Sequence, residues 1–198
     1  MQLGYSRRVP DSPFRVKGET TLYRGSIGRF GVHELETPDG HAFSLAHLQH
    51  PGAAAVVPFL AVDRILLLRQ YRFAADGEIW EIPAGKLDPA ESPADCAARE
   101  LREETGYCAA RLEASGHILT APGFTDECIH LFNAYNLSPG APDREPSESI
   151  ELHEVQFEEA LEMVQRGEII DAKSIVALHH AARARSRQAP SSTLRAIP

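Results

Sequence analysis

GKLDPAESPADCAARELREETGY, residues Gly85 to Tyr107, contains a whole helix with both ends marked. Ser92 is a good N-cap, Pro93 suits the first helical position, and Asp95 stands three residues after the cap. Ala94, Ala97, Ala98 and Leu101 then share one side at about 100° per residue. Small side chains there let the helix lie close to a sheet. Gly106 closes the helix in a left-handed C-cap. Glu100, Glu103 and Glu104 crowd a face about a quarter-circle from that stripe. Like charges four apart destabilise an isolated helix, so a positive partner is expected among them. Arg99 precedes Glu103 by four residues and can pair with it. Divalent cations take carboxylate oxygens, and Mg²⁺ is commonly shared between a few carboxylates and substrate phosphates. The spacing therefore points to metal-assisted phosphate chemistry. Charge spacing alone fits an amphipathic helix with a solvated acidic face equally well.

The flanking residues decide between these. Gly85 is followed after five residues by Glu91, and after seven more by Arg99-Glu100-Leu101-Arg102-Glu103-Glu104-Thr105-Gly106. This pattern resembles the signature of the Nudix hydrolases at every charged and glycine position. Tyr107 stands where that family usually has an aliphatic residue, a packing substitution. The resemblance implies an α/β fold, an α/β/α sandwich with a mixed sheet, and hydrolysis of a pyrophosphate bond.

Composition is consistent with this. A chain of 198 residues with net charge −8 and no large basic cluster argues against a nucleic-acid surface. The one basic run, Arg183 to Arg187, lies at the end of the last expected helix. Cys96, Cys108 and Cys128 lack metal-ligand spacing and read as reduced thiols, and the nine histidines show no ligand spacing either. No apolar run is long enough to span a membrane and no signal-peptide core stands near the start, so no membrane partner and a cytoplasmic location are expected.

Along the chain, residues 1–50 alternate short strand-like runs (Thr21–Tyr23, Gly31–Leu35, Ala42–Leu45) with turns, of which Pro38-Asp39-Gly40 is the clearest. They form an N-terminal β-rich segment able to pack on the main domain or on a second subunit. Residues 51–186 form the hydrolase domain. Within it, Ala53–Leu60 and Arg64–Gln70 make a buried hairpin, Ile79–Ile82 is a strand, and Tyr107–Ala121 and Ile129–Leu137 supply more. A polar loop, Pro139–Ser149, leads to a last strand, Glu151–Gln156. Helices are expected over Phe157–Arg166 and from Asp171 to about Arg185. Residues 187–198, rich in Ser, Pro and Ala, read as a disordered tail.

Outside the signature, Pro122 lies sixteen residues after Gly106. With Gln70-Tyr71-Arg72, Trp80-Glu81-Ile82-Pro83-Ala84-Gly85, His50-Pro51-Gly52 and Ile170-Asp171-Ala172-Lys173, it resembles the ADP-ribose pyrophosphatase branch. That resemblance covers roughly residues 45 to 182. It implies a nucleoside diphosphate sugar as substrate, most directly ADP-ribose, and a homodimer. Another nucleotide sugar such as GDP-mannose is the alternative, and a non-catalytic ADP-ribose sensor is disfavoured because every signature glutamate is present. Glu100 and Glu104 are the expected ligands of Mg²⁺, with Mn²⁺ as the alternative ion, and the carbonyl of Ala84 matches a backbone ligand position. Glu103 either holds a second ion or serves Arg99, while Glu91 orients the loop. Glu145, Glu148 and Glu151 in and beside the acidic loop are the candidates for the general base, with Glu148 the expected one and Glu145 the fallback. Arg72 is the expected phosphate clamp, and Glu81 a hydrogen-bond partner for a ribose hydroxyl. Trp80 reads as a core or interface residue, and Tyr23, Phe30 and Phe43 as possible stacking partners for adenine. The branch's basic residue before His50-Pro51-Gly52 has no counterpart, since Ser44, Ala46 and Gln49 stand nearby.

Overall fold

The structure, a computed structural model, describes residues 12–143 and 149–188. It divides into two compact units, Met1–His50 with Ala121–Asp126, and Pro51–Thr120 with Glu127–Pro198.

In the first unit, β1 (Arg15–Gly25), β2 (Gly28–Glu36) and β3 (Ala42–Gln49) form an antiparallel sheet in that order. The turn at Pro38-Asp39-Gly40 joins β2 to β3, with Gly40 at φ +90° and its N–H on Thr37 O at 2.9 Å. β1 is far longer than the three residues its apolar pattern marks. Register shifts at Val16/Gly18 and Thr21/Tyr23 break its alternation, and almost all of it is exposed, so period-2 burial never writes it into the sequence.

The second unit is built on a mixed sheet of β4 (Ala53–Ala61), β5 (Arg64–Arg72), β6 (Gly77–Glu81), β7 (Ala84–Lys86), β8 (Tyr107–Leu119), β9 (Cys128–Pro139) and β10 (Ile150–Gln156). Its main path runs β10-β5-β4-β9-β8, and β4 lies parallel to β9 while the other pairs are antiparallel. β4 reads as an unbroken apolar run because it is covered on both faces. Ala53, Ala55, Val57 and Phe59 pack with α2 (Phe157–Gln165) and α3 (Ala172–Gln188) through Phe157, Ala160, Ala177 and Leu178. The alternate residues Ala54 and Val56 pack with α1 (Pro93–Thr105) through Cys96, Ala97 and Leu101. One period-2 strand thus holds both helical layers of the α/β/α sandwich.

One expectation about α1 needs correction. Ala94 and Ala98 are exposed, and the buried line is Cys96, Ala97, Leu101, Glu104 and Thr105. The helix is turned toward Cys96, whose thiol lies against the Gly85 and Lys86 carbonyls at 3.5 and 3.4 Å. That rotation carries Glu104 inward, to 3 % exposure. At the other end of the chain, α3 runs on through Gln188. Within the basic run, Arg185 lies over the rings of Phe59 and Phe157 at 5.4 and 4.9 Å and donates to Val62 O. This arginine is a packing residue.

β4 and β5 share only Phe59↔Ile65 and Ala61↔Arg64. Beyond that they part. β5 pairs with β6, β4 pairs with β7, and Val56 N–H reaches Pro83 O at 2.9 Å. The segment Glu81–Lys86 therefore fills a fork between two central strands, with α1 packed against β7.

Candidate active site

α1 begins as its sequence indicates. Asp95 N–H donates to Ser92 Oγ at 3.1 Å, and Ser92 Oγ–H to Asp95 Oδ2 at 2.6 Å. Gly106 closes it at φ +75°, its N–H on Arg102 O at 2.8 Å. The helix then presents its glutamates to the fork. Glu104 Oε2 accepts the N–H of Ala84 at 3.0 Å. The Glu100 carboxylate lies over the next residue, Gly85, where any Cβ would overlap it. Two carboxylates one turn apart thus meet adjacent residues of β7.

Arg99 supplies the expected positive charge, with more partners than Glu103 alone. Its Nε and Nη2 grip Glu91 at 2.8 and 3.0 Å, and Nη1 donates to Glu100 at 2.7 Å and Glu103 at 3.0 Å. Nη2 also reaches Lys86 O at 3.0 Å. These carboxylates hold the Arg99 guanidinium well above its usual range, the hydrogen bond with Glu91 foremost. The same bond pulls Glu91 down to about 2. Glu91 also accepts Asp88 N–H at 3.0 Å, so it ties the loop after β7 to the helix. Of the two alternatives for Glu103, the structure shows the contact with Arg99, and Arg102 Nη2 adds a second at 3.0 Å.

On the other side of the fork, Arg72 Nε donates to Glu81 Oε2 at 2.6 Å. Glu81 is 3 % exposed, and its Oε1 accepts from Lys173 Nζ. Burial works to lower the Arg72 pKa, but the Glu81 hydrogen bond and charge, with the charges of Glu104 and Asp171, raise it overall. Gln70 follows Leu68 on the same face of β5. Its buried Oε1 finds no hydrogen-bond partner among the described residues. Trp80 packs on the core and meets His153 edge-on at 4.7 Å, with Arg69 over its ring at 5.5 Å. Lys173 is the residue the sequence left without a role. It stands 92 positions from Glu81, and no local pattern links them.

Of the three candidates for general base, Glu145 and Glu148 lie outside the described residues, and Glu151 is exposed on β10, in register with Arg69. The described ends of the acidic loop are fixed on site elements. Asp143 N–H donates to Glu103 O at 3.0 Å, and Ile150 pairs with Gln70.

The donor chemistry at β7 fits an oxygen-seeking divalent cation. Glu100 and Glu104 bring carboxylate oxygens to adjacent residues, and Gly85 lacks the side chain that would push one aside. Among the described residues, no three acidic, histidine or cysteine side chains already form a closed cage. Glu103 in particular is drawn to its two arginines. Also among the described residues, no helix is long and apolar enough to cross a membrane.

Comparison with known proteins agrees with the fold and the signature. A family model for the NUDIX domain matches residues 49–193. The chain is 38 % identical over 161 residues to an ADP-ribose pyrophosphatase of Bacillus subtilis (strain 168), covering 80 % of this chain and 87 % of that protein. A GDP-mannose pyrophosphatase of Cronobacter sakazakii is 38 % identical over 142 residues, covering 65 % of this chain and 72 % of the other. A solved structure described as an ADP compounds hydrolase superposes with a TM-score of 0.80 at 20 % identity. The alignment covers 90 % of this chain and 97 % of that one, which shows a shared fold. With signature, sandwich and carboxylate-lined fork in one chain, the protein belongs to the Nudix family of hydrolases.

Proposed function

We propose that this hydrolase cleaves the pyrophosphate bond of ADP-ribose, taking up one water and releasing AMP and ribose 5-phosphate. The observation that carries the reading is the fork itself. It sets an acidic side (Glu100 and Glu104 on Ala84 and Gly85) beside a cationic one (Arg72 on Glu81), within one short segment of chain. A pyrophosphate needs both.

Nudix hydrolases depend as a family on divalent metal. We assign Mg²⁺ here, with Mn²⁺ as a substitute, held by Glu100, Glu104 and the Ala84 carbonyl, and Glu103 available for a second ion. Bound metal neutralises phosphate charge and helps orient the attacking water. The chain's own residues do the rest. Arg72 grips phosphate oxygens, Glu81 serves a ribose hydroxyl, and Arg99 holds Glu100 and Glu103 in place. Glu148, two residues before Ile150 and its partner Gln70, takes the proton of the attacking water. The enzyme works in the cytoplasm as a homodimer and takes neither nucleic acid nor membrane as partner.

A second reading keeps the chemistry and changes the sugar. It is favoured by Ser44, Ala46 and Gln49, which offer no cation where the branch carries one, and by the GDP-mannose pyrophosphatase relative. The deciding experiment offers ADP-ribose, GDP-mannose, NADH and diadenosine polyphosphates to the wild type and to Glu104→Gln, with Mg²⁺ and product analysis. ADP-ribose should rank first by kcat/KM and yield AMP, and Glu104→Gln should be inactive on all. A clear preference for GDP-mannose moves the assignment to the second reading. Turnover by Glu104→Gln at the wild-type rate removes the metal role from α1.

A further inference from the structure

The ends of β5 and β6 and the start of α3 meet in a line of alternating charge: Asp171, Lys173, Glu81, Arg72. Lys173 Nζ lies 3.1 Å from Asp171 Oδ2 and donates to Glu81 Oε1, and Arg72 Nε donates to Glu81 Oε2 at 2.6 Å. The start of α3 is itself pinned. Asp171 Oδ2 accepts from Ser174 N–H at 3.0 Å and from its Oγ–H at 2.5 Å, and Ser174 Oγ accepts Ile82 N–H at 2.9 Å. Lys173 is therefore held at a fixed place beside a carboxylate that is 3 % exposed.

A guanidinium offered a whole carboxylate tends to take both oxygens through two parallel N–H bonds. Here it does not. One oxygen belongs to Lys173, and Arg72 makes its bond through Nε alone. The two terminal Nη groups take no part in that bond, and the Arg72 side chain is 42 % exposed. We infer that Lys173 is a positioning residue. By occupying Oε1 of Glu81, it limits Arg72 to a single-point contact and keeps the Nη edge turned out for a substrate phosphate. This rests on the reading of Arg72 as the phosphate clamp. Without Lys173, the guanidinium closes onto Glu81 and is withdrawn from substrate.

The test is a double-mutant cycle in steady-state kinetics with ADP-ribose and Mg²⁺, on the full chain. Wild type, Lys173→Met, Arg72→Ala and the double variant are compared, with circular dichroism and Tm as folding controls. Lys173→Met should raise KM about 10-fold and leave kcat within about 2-fold, the pattern of lost binding common to ground and transition states. In the Arg72→Ala background the same change should move KM less than about 2-fold, because the residue it acts through is gone. Equal KM increases in both backgrounds mean that Lys173 only supports the fold, and overturn the inference. So does an unchanged KM in Lys173→Met. If Arg72→Ala itself leaves KM unchanged, the clamp reading fails first and the positioning role falls with it. Should Lys173→Met not fold, Lys173→Ala takes its place in the same cycle with the same expectations.

Discussion

At the scale of single residues, Gly85 is the position where one added atom tests the proposed metal site while sparing the fold. Its φ lies outside the left-handed region, so its backbone suits any residue. What a side chain would meet is the Glu100 carboxylate, the mobile end of a long side chain. The helix beneath is anchored elsewhere, by Cys96, Ala97 and Leu101 in the core. Gly85→Ala should therefore fold, with Tm within about 2 °C of wild type, the range of changes that spare the core. Its activity at limiting Mg²⁺ should fall about 10-fold or more, the usual cost of disturbing how a metal ligand is held. Extra Mg²⁺ should recover part of it. Titrating activity against Mg²⁺ checks this, and an unchanged metal requirement would show that Glu100 has no need of the space over Gly85.

At the scale of elements, α1 was legible almost entirely. Its cap, its stop glycine and its carboxylates are local features, and local features survive in a linear sequence. Its rotation was not. Ala94 and Ala98 are as apolar as Ala97, and only the facing layer of Val56, Phe132 and Ala134 selects which side is buried. β4 was legible because it is covered on both faces, while β7 has three residues and exists only through its pairing with β4. The Arg72–Glu81–Lys173 line was beyond reach for the same reason. Its members are assembled by sheet and helix packing across 92 positions. The pairing of Arg99 with Glu91 is intermediate: both lie in the signature, and the distance between them is fixed by α1 and the loop before it. It links β7's loop to α1 and carries a pH dependence. Glu91 is depressed from 4.5 to about 2 in the folded chain, chiefly by the Arg99 hydrogen bond. Folding thus favours its ionised form, so its contribution is complete above about pH 4.5 and is lost as pH falls toward 2. Glu91→Gln should cost about 2 kcal/mol at pH 7, or roughly 4–8 °C in Tm. Chemical unfolding of both proteins from pH 7 to pH 3 checks the sign. The gap should shrink by about half or more at the acid end, and a constant gap would mean that Glu91 does not act through its charge.

At the scale of the whole molecule, the two units differ in how they dispose of apolar surface. The second buries a core between sheet and helices, leaving Val62, Tyr71, Phe73, Leu119 and Ile170 exposed outside it. The first leaves Phe14, Val16, Leu22, Tyr23, Ile27 and Leu45 exposed on or beside a three-stranded sheet, with Val16 and Leu22 each 61 % exposed. Exposed apolar surface gathered in one small unit marks an interaction site more often than a monomer's ordinary surface. A second copy of the same chain is the simplest partner, since a twofold contact lets one patch cover itself. This is the physical support for the proposed homodimer. Light scattering after size exclusion should give the mass of two chains at micromolar concentration. Val16→Asp combined with Leu22→Asp should shift it toward one, because a buried charge without a partner is costly. Backbone pairing of β1 with β2 involves neither side chain, so the sheet should persist, which circular dichroism can verify. Wild type eluting at the mass of a single chain would leave the exposed residues of β1 without this explanation. A variant that stays dimeric would move the contact to another surface.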